Sequence, residues 1–218
     1  MAATVRILLI RHGESTWNAD GRWQGQADPP LTERGRAQAR SAADAVPPVA
    51  LAVASDLERA HHTAALLVGG AGGPAVTQDR DLRERDAGAF SGLTRAEIFE
   101  RYPGLLPDDP TRRGEEGVAA LIAPPGWEPD DRLAERAWRA IERIAAALVA
   151  SGDDDRTGLA VTHGGLIYAL ERSLGHEPTR IANLEGRWLD RSDGPWRLGP
   201  RQLLLDPATD AITRPRPT

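Results

Sequence analysis

The stretch VRILLIRHGESTWN, residues 5–18, begins with the pattern of a buried strand and then departs from it. Apart from Arg6, residues 5–10 are apolar, which is typical of a strand that is covered on both faces. A cation, an imidazole and a glycine follow directly at 11–13. Residues 157–165, TGLAVTHGG, likewise run an apolar stretch into a histidine and two glycines. The sequence therefore predicts two buried strands that each end in a His-Gly pair.

Further segments alternate between strand and helix patterns. Residues 49–54 form a third apolar run, whereas 32–45 and 131–150 show the apolar spacing of helices, the first of them beginning at a Thr32 cap. Strands that alternate with helices predict a parallel sheet with helices on both faces. We therefore expect an α/β fold with one three-layer α/β/α domain over residues 1–218 and a mostly parallel central sheet.

Two helix starts carry the signature of a capping box, in which Ser or Thr precedes Glu by three residues. SDLE at 55–58 predicts a helix whose first turn contains Arg59. LTRAEI at 93–98 predicts a second box formed by Thr94 and Glu97. We expect both helix starts to hold their neighbouring residues rigidly.

Residues 103–130 have a different character. They contain six Pro and four Gly and show no sustained periodicity. Irregular segments of this length inside a compact domain are usually functional loops or linkers. We expect a lid-like insertion that takes part in substrate selection.

Composition and charge exclude several classes of function. A net charge of -5 provides no basic surface, so we expect neither a nucleic acid nor a membrane as partner. The chain has no cysteine and all 27 of its basic residues are Arg, which excludes thiolate metal sites, cysteine nucleophiles and catalytic lysines. We see neither a signal peptide nor an apolar run of membrane-spanning length, and therefore expect a cytoplasmic protein.

Several polar residues are expected to meet at one edge of the sheet. Ligands of open parallel sheets bind outside the carboxyl ends of the strands, where this chain places Arg11, His12, Arg59 and His163. Such a cluster favours a compact dianion such as a phosphoryl group, and a neutral imidazole can attack phosphorus. A single histidine at a strand end is more often a core residue, but two matched His-Gly ends beside arginines favour a site.

Four segments, RHGESTWN, SDLERAHHTA, LRERDAGAFSGLT and VTHGG, together resemble the histidine phosphatase (phosphoglycerate mutase-like) superfamily. The resemblance follows the same order along nearly the whole chain, and it implies phosphohistidine chemistry without a metal or a cofactor. It implies that His12 is the nucleophile and Glu84 the general acid. Arg11, Arg59 and His163 would form the phosphate pocket and assist catalysis.

The resemblance also implies that Asn18, Gly25 and Gly164 contact the substrate. Asn18 suits the start of a helix equally well, because asparagine is a favoured capping residue. Asp86 is an alternative to Glu84 as the acid, although an exposed loop charge is its expected role.

The second Gly of HGG and the Pro-Gly turn at 124–126 resemble the phosphatase branch of the superfamily. This implies hydrolysis of a small phosphorylated metabolite. Phosphatase relatives commonly carry Gly-Gly-Glu-Ser where this chain has PPGWEPDD, so Trp127 departs from the pattern and Glu128 is retained. We expect Glu128 to be a charge at the start of a helix, with a contact to substrate or to a pocket arginine as the alternative.

Two other functions and the oligomeric state stay open. A cofactor-dependent phosphoglycerate mutase would share the pocket and transfer the phosphoryl group between two hydroxyls. A non-catalytic protein that binds a phosphorylated ligand would need the pocket but no proton donor. The sequence does not decide whether the chain acts alone, and a homodimer is one option.

Overall fold

The computed structural model describes residues 4–69, 72–106, 123–152 and 156–205. Their strands are β1 (Val5–Arg11), β2 (Leu51–Ala54), β3 (Val76–Gln78), β4 (Thr157–Thr162), β5 (Glu185–Arg191) and β6 (Arg197–Leu203). They form one sheet in the order β3-β2-β4-β1-β5-β6. The strands from β3 to β1 are parallel, whereas β5 is antiparallel to β1 and β6 is antiparallel to β5.

Helices cover both faces of this sheet. They are α1 (Thr16–Ala19), α2 (Glu33–Ser41), α3 (Glu58–Gly69), α4 (Arg95–Arg101), α5 (Asp130–Ala150) and α6 (Gly164–Ser173). α5 and α6 pack on one face, and α2 and α3 pack on the other. The expected α/β fold with a mostly parallel sheet is confirmed. Among the helices of the described residues, none is both long and apolar enough to cross a membrane.

The central strand β1 shows why its sequence lacks alternation. Ile7 and Leu9 belong to the core beneath α5 and α6, whereas Leu8 and Ile10 belong to the core beneath α2 and α3. All four side chains are completely buried. Burial of each stabilises the fold by about 1.5–3 kcal/mol. Since successive residues face opposite layers, each position from 7 to 10 must be apolar, whereas Arg6 of the same strand is exposed.

The predicted capping box at LTRAEI is confirmed. The Glu97 amide donates to the Thr94 hydroxyl at 3.2 Å, and the Glu97 carboxylate accepts from the Thr94 amide at 2.7 Å. α4 therefore begins where the sequence predicts. The predicted helix at 32–45 has its Thr32 cap but ends at Ser41, and a short 3₁₀ turn follows.

The predicted capping box at SDLE is wrong. The Ser55 hydroxyl accepts from the Leu57 amide at 3.3 Å, while the Glu58 amide donates to the Asp28 carboxylate at 2.8 Å. A loop from an earlier part of the chain thus caps α3, and no local pattern reveals this contact. Arg59 nevertheless lies in the first turn of the helix, as expected.

Most of the predicted lid, residues 107–122, lies outside the described residues. The described part that follows runs beside the loop that precedes α4. The Ala89 amide donates to the Pro125 carbonyl at 2.9 Å, and the Glu128 amide donates to the Asp86 carbonyl at 3.0 Å. The end of the 103–130 segment is therefore tied to the loop that begins at Glu84.

Candidate active site

Two histidines lie side by side at the carboxyl end of the sheet. The register of β1 and β4 pairs Arg11 with Thr162, so that the next residue of each strand is a histidine. The ring centroids of His12 and His163 are 5.1 Å apart. Both side chains are buried, and His163 is completely so. The predicted convergence of the two strand ends is confirmed.

The surroundings of His12 determine which ring nitrogen is free to react. Nδ1 lies 2.7 Å from the Gly13 carbonyl oxygen, which can only accept, so Nδ1 carries the proton. The lone pair is then on Nε2, which accepts from Arg59 Nε at 3.3 Å. Burial, followed by the charges of Arg59 and Arg11, lowers the pKa of His12 well below its usual 6.5. His12 is therefore neutral at neutral pH, with its lone pair on Nε2.

Two arginines supply the positive charge of the site. Arg59 is completely buried, and its guanidinium donates to the carbonyls of Ala27 at 2.7 Å and Gly25 at 2.9 Å. Burial lowers the pKa of Arg59 to about 10, so the group stays charged at neutral pH. Arg11 donates to the Ile181 carbonyl at 2.8 Å. These carbonyl contacts fix each guanidinium without neutralising it.

The second histidine, His163, has a different environment from His12. Neither Nδ1 nor Nε2 has a partner among the described residues, although both are buried. Burial is also the main cause that lowers the pKa of His163 well below 6.5, with the charge of Arg59 next. Buried polar atoms are almost always hydrogen-bonded in folded proteins. An anion beside the two imidazoles would accept from the protonated nitrogen of His163 and would also compensate the arginines.

A carboxylate lies at the same edge of the sheet. Glu84 Oε1 accepts from the Arg85 amide at 2.7 Å, and Oε2 accepts from the Gly165 amide at 3.1 Å, at the start of α6. A β-carbon at position 165 would collide with Glu84 Oε1. The second glycine of HGG therefore leaves the space that the carboxylate occupies.

Most of these groups open into one cavity of about 230 Å³, and His163 lies behind His12 without lining it. Its lining comprises Arg11, His12, Trp23, Gln24, Gly25, Arg59, Glu84, Arg85, Ala87, Trp127, Gly164, Gly165 and Tyr168. Trp23 and Trp127 form an aromatic wall with their ring centroids 5.9 Å apart. The Arg85 guanidinium lies 5.1 Å from the Trp127 ring centroid and pairs with Asp130 at 2.6 Å. The cavity thus joins a cationic end to an aromatic wall.

A sequence profile of the Histidine phosphatase superfamily (branch 1) matches residues 7–194. The chain belongs to the histidine phosphatase superfamily. It is 32% identical over 222 residues to 2,3-bisphosphoglycerate-dependent phosphoglycerate mutase 2 of Gloeobacter violaceus, covering 97% of this chain and 95% of that protein. It is 33% identical over 208 residues to the metal-independent phosphoserine phosphatase of Arabidopsis thaliana, covering 94% and 81%.

The fold of this histidine phosphatase superfamily member is similar to solved structures as well. The native structure of mycobacterial glucosyl-3-phosphoglycerate phosphatase matches with a TM-score of 0.73 and 33% identity, covering 89% of this chain and 97% of that chain. The expected membership of the superfamily is confirmed, and so is the expectation of an enzyme of the histidine phosphatase type. Because the relatives include phosphatases and mutases, they do not by themselves choose between hydrolysis and transfer.

The remaining predicted contact residues fall into two groups. Gly25 and Gly164 line the cavity, and the carbonyl of Gly25 holds Arg59. Asn18 does not line it; its side chain accepts from the Ser15 amide at 3.2 Å and completes a capping box at the start of α1. The helix-start interpretation of Asn18 is confirmed, and its contact with substrate stays a prediction.

The site also contains residues that the sequence does not predict. Arg85 and Tyr168 line the cavity, and Asn183 donates to the His12 carbonyl at 2.8 Å. No local pattern distinguishes these residues from surface or core positions. Within the described residues, no group of three or more His, Asp or Glu side chains is placed to hold a metal ion.

Proposed function

We propose that the protein is a metal-independent phosphomonoester hydrolase that works through a phosphohistidine at His12. The observation that carries the proposal is the fixed Nε2 lone pair of His12, which lies among Arg11, Arg59 and the unpartnered nitrogens of His163. Cations and hydrogen-bond donors of this kind stabilise the charge on the phosphoryl oxygens during transfer.

The reaction proceeds in two steps. Nε2 of His12 attacks phosphorus, the bond from phosphorus to the leaving oxygen breaks, and Glu84 in its protonated form gives that oxygen its proton. Water then attacks the phosphohistidine, and Glu84, now a carboxylate, accepts a proton from it. Inorganic phosphate leaves and the nitrogen lone pair is restored. The bond from phosphorus to Nε2 breaks in this second step, and both His12 and Glu84 return to their starting states.

The cavity supports a small phosphorylated metabolite as substrate. Its volume of about 230 Å³ lies below the roughly 300–1,000 Å³ that is usual for ligand pockets. Two similar proteins are named for the hydrolysis of small phosphomonoesters, phosphoserine and glucosyl-3-phosphoglycerate. Gly165, the second glycine of HGG, also supports the phosphatase branch.

We expect turnover to release inorganic phosphate and to continue in the presence of EDTA. The test is a screen of phosphoserine, phosphoglycerates, sugar phosphates and nucleotides, with inorganic phosphate and phosphorylated products measured separately. Transfer to a second hydroxyl without phosphate release would show a mutase. Binding without any turnover would show a phosphate-binding protein, and complete loss in EDTA that added Zn²⁺ or Mg²⁺ restores would contradict metal independence.

Gly165→Ala is expected to lower turnover while leaving stability nearly unchanged. The new methyl group collides with Glu84 Oε1, which is the end of a flexible side chain and can move aside. Displacement of a reacting group by about 1 Å can cost roughly 100-fold in rate. Steady-state kinetics and thermal unfolding of the variant check this expectation, with Gly69→Ala at the end of α3 as a control, because a β-carbon there meets nothing within 4 Å and the residue does not line the cavity. An unchanged kcat would show that the position of the carboxylate does not matter.

A further inference from the structure

Arg136 of α5 is a buried cation with an unusual set of partners. Its Nε and Nη2 donate to the two Glu128 carboxylate oxygens at 2.7 and 2.8 Å. Nη1 donates to the carbonyls of Asp81, at 2.9 Å, and Arg83. Nη2 also donates to the carbonyl of Glu84 at 2.8 Å. A guanidinium has five N–H donors, and here each of them is used.

These bonds hold the loop that leads to Glu84. The one carbonyl in this stretch that Arg136 does not contact, that of Leu82, accepts from Thr162 Oγ1 at 2.7 Å. Side chains therefore hold every carbonyl from 81 to 84. Thr162 directly precedes His163, so the same loop is tied to the strand end that carries the histidine.

Glu128 extends this support beyond Glu84. Its Oε2 accepts from the Asp86 amide at 3.1 Å, and its carbonyl accepts from Arg85 Nη1 at 2.6 Å. Arg136 and Glu128 therefore form hydrogen bonds with the backbone on both sides of Glu84. The sequence predicts Glu128 as a charge at the start of a helix, and the structure adds a contact with Arg136, a buried arginine that does not line the cavity.

We propose that Arg136, paired with Glu128, is a positioning residue that sets the location of the Glu84 carboxylate relative to His12. The proposal rests on the proposed function, in which Glu84 is the general acid. Arg136 acts through the backbone of Glu84 and does not itself line the cavity. Lysine cannot replace it, because a single ammonium group cannot form a planar fork to one carboxylate and three carbonyls.

The same helix provides a matched control. Arg139, about one turn further along α5, also reaches this loop, but it binds the Asp81 carboxylate at 3.2 and 3.3 Å and is half exposed. Arg139 thus attaches the loop to α5 without contacting the backbone of Glu84. If Arg136 only anchored α5, substitution of either arginine would have a similar kind of effect.

The test is a double-mutant cycle on the phosphorylation step. Single-turnover rates are measured for the unsubstituted protein, Arg136→Met, Glu84→Gln and the double variant, with p-nitrophenyl phosphate and an alkyl phosphate as substrates. Arg136→Met is expected to slow the alkyl phosphate about 10- to 100-fold and p-nitrophenyl phosphate much less. In the Glu84→Gln background it should cost little more, because the group it positions is already gone. Arg139→Met should leave both rates nearly unchanged.

The outcomes separate this proposal from the proposed function. Multiplicative losses from Arg136→Met and Glu84→Gln would overturn the positioning role, as would equal effects of Arg136→Met and Arg139→Met. If the loss of rate in Glu84→Gln does not depend on the leaving group, Glu84 is not the general acid. The coupling between positions 84 and 136 in the cycle still tests the positioning role separately. Should Arg136→Met fail to fold, Arg136→Lys and Glu128→Gln keep most of the shape and enter the same cycle.

Discussion

His12→Ala is expected to lower turnover by about 10⁴-fold or more, because it removes the group that accepts the phosphoryl group. The remaining cations can still bind a phosphate ester, so binding should persist. Steady-state kinetics with p-nitrophenyl phosphate and isothermal titration with inorganic phosphate measure the two effects separately. His176→Ala is the matched control, since His176 is exposed and lies outside the cavity lining.

Comparable activity in His12→Ala would show that His12 is not the nucleophile. The nearby His163 is the second imidazole of the site, but within the described part of the chain neither of its nitrogens has a hydrogen bond that would fix the ring in the way Gly13 fixes His12. A partial loss that His163→Ala then completes would indicate that either imidazole can accept the phosphoryl group. The account predicts neither result.

Glu84→Gln is expected to produce a loss that depends on the leaving group. The alkoxide that leaves an alkyl phosphate is strongly basic and needs a proton in the transition state, whereas p-nitrophenolate leaves readily without one. General acids typically contribute about 10²- to 10⁴-fold. The phosphorylation step should therefore fall by this amount for alkyl phosphates and by much less for p-nitrophenyl phosphate. Single-turnover kinetics isolate that step from the later attack by water.

Asp86→Asn is the natural control for Glu84→Gln. Asp86 is exposed, and its carboxylate accepts from the Gly88 amide at 2.9 Å. It does not line the cavity, so its substitution should not change the dependence on leaving group. Equal losses for both substrates in Glu84→Gln would remove Glu84 from the acid role, and a selective loss in Asp86→Asn would transfer the role to that residue.

The central strands could be predicted because their signal is local. The part of a strand that is covered on both faces must be apolar, and this holds for residues 7–10 of β1 and 158–161 of β4. β6 carries no such signal, since it lies at the sheet edge and reads RLGPRQL with partly exposed side chains. Its Pro200 argues against a central strand and is tolerated at an edge. β3 has only three residues and is too short to show a pattern.

The same distinction applies to the candidate site. His12 and His163 were found because each follows a recognisable strand, and parallel pairing then places them together. Two supporting contacts join distant parts of the chain. Asp28 caps the helix at Glu58, and Arg136 donates to the carbonyl of Glu84. Such contacts depend on how the helices pack on the sheet, and no spacing along the sequence predicts them. The supporting contacts of the site therefore required the structure, whereas its reactive residues did not.

If the phosphoryl group passes through His12, a phosphohistidine can be trapped on the protein during turnover. The protein is mixed with excess substrate, quenched in alkali within one turnover, digested, and analysed by tandem mass spectrometry at a pH that preserves phosphohistidine. We expect acid-labile phosphate on the peptide that contains His12, at Nε2, and none in His12→Ala. Turnover without any phosphorylated peptide, or phosphate on a different residue, would contradict it.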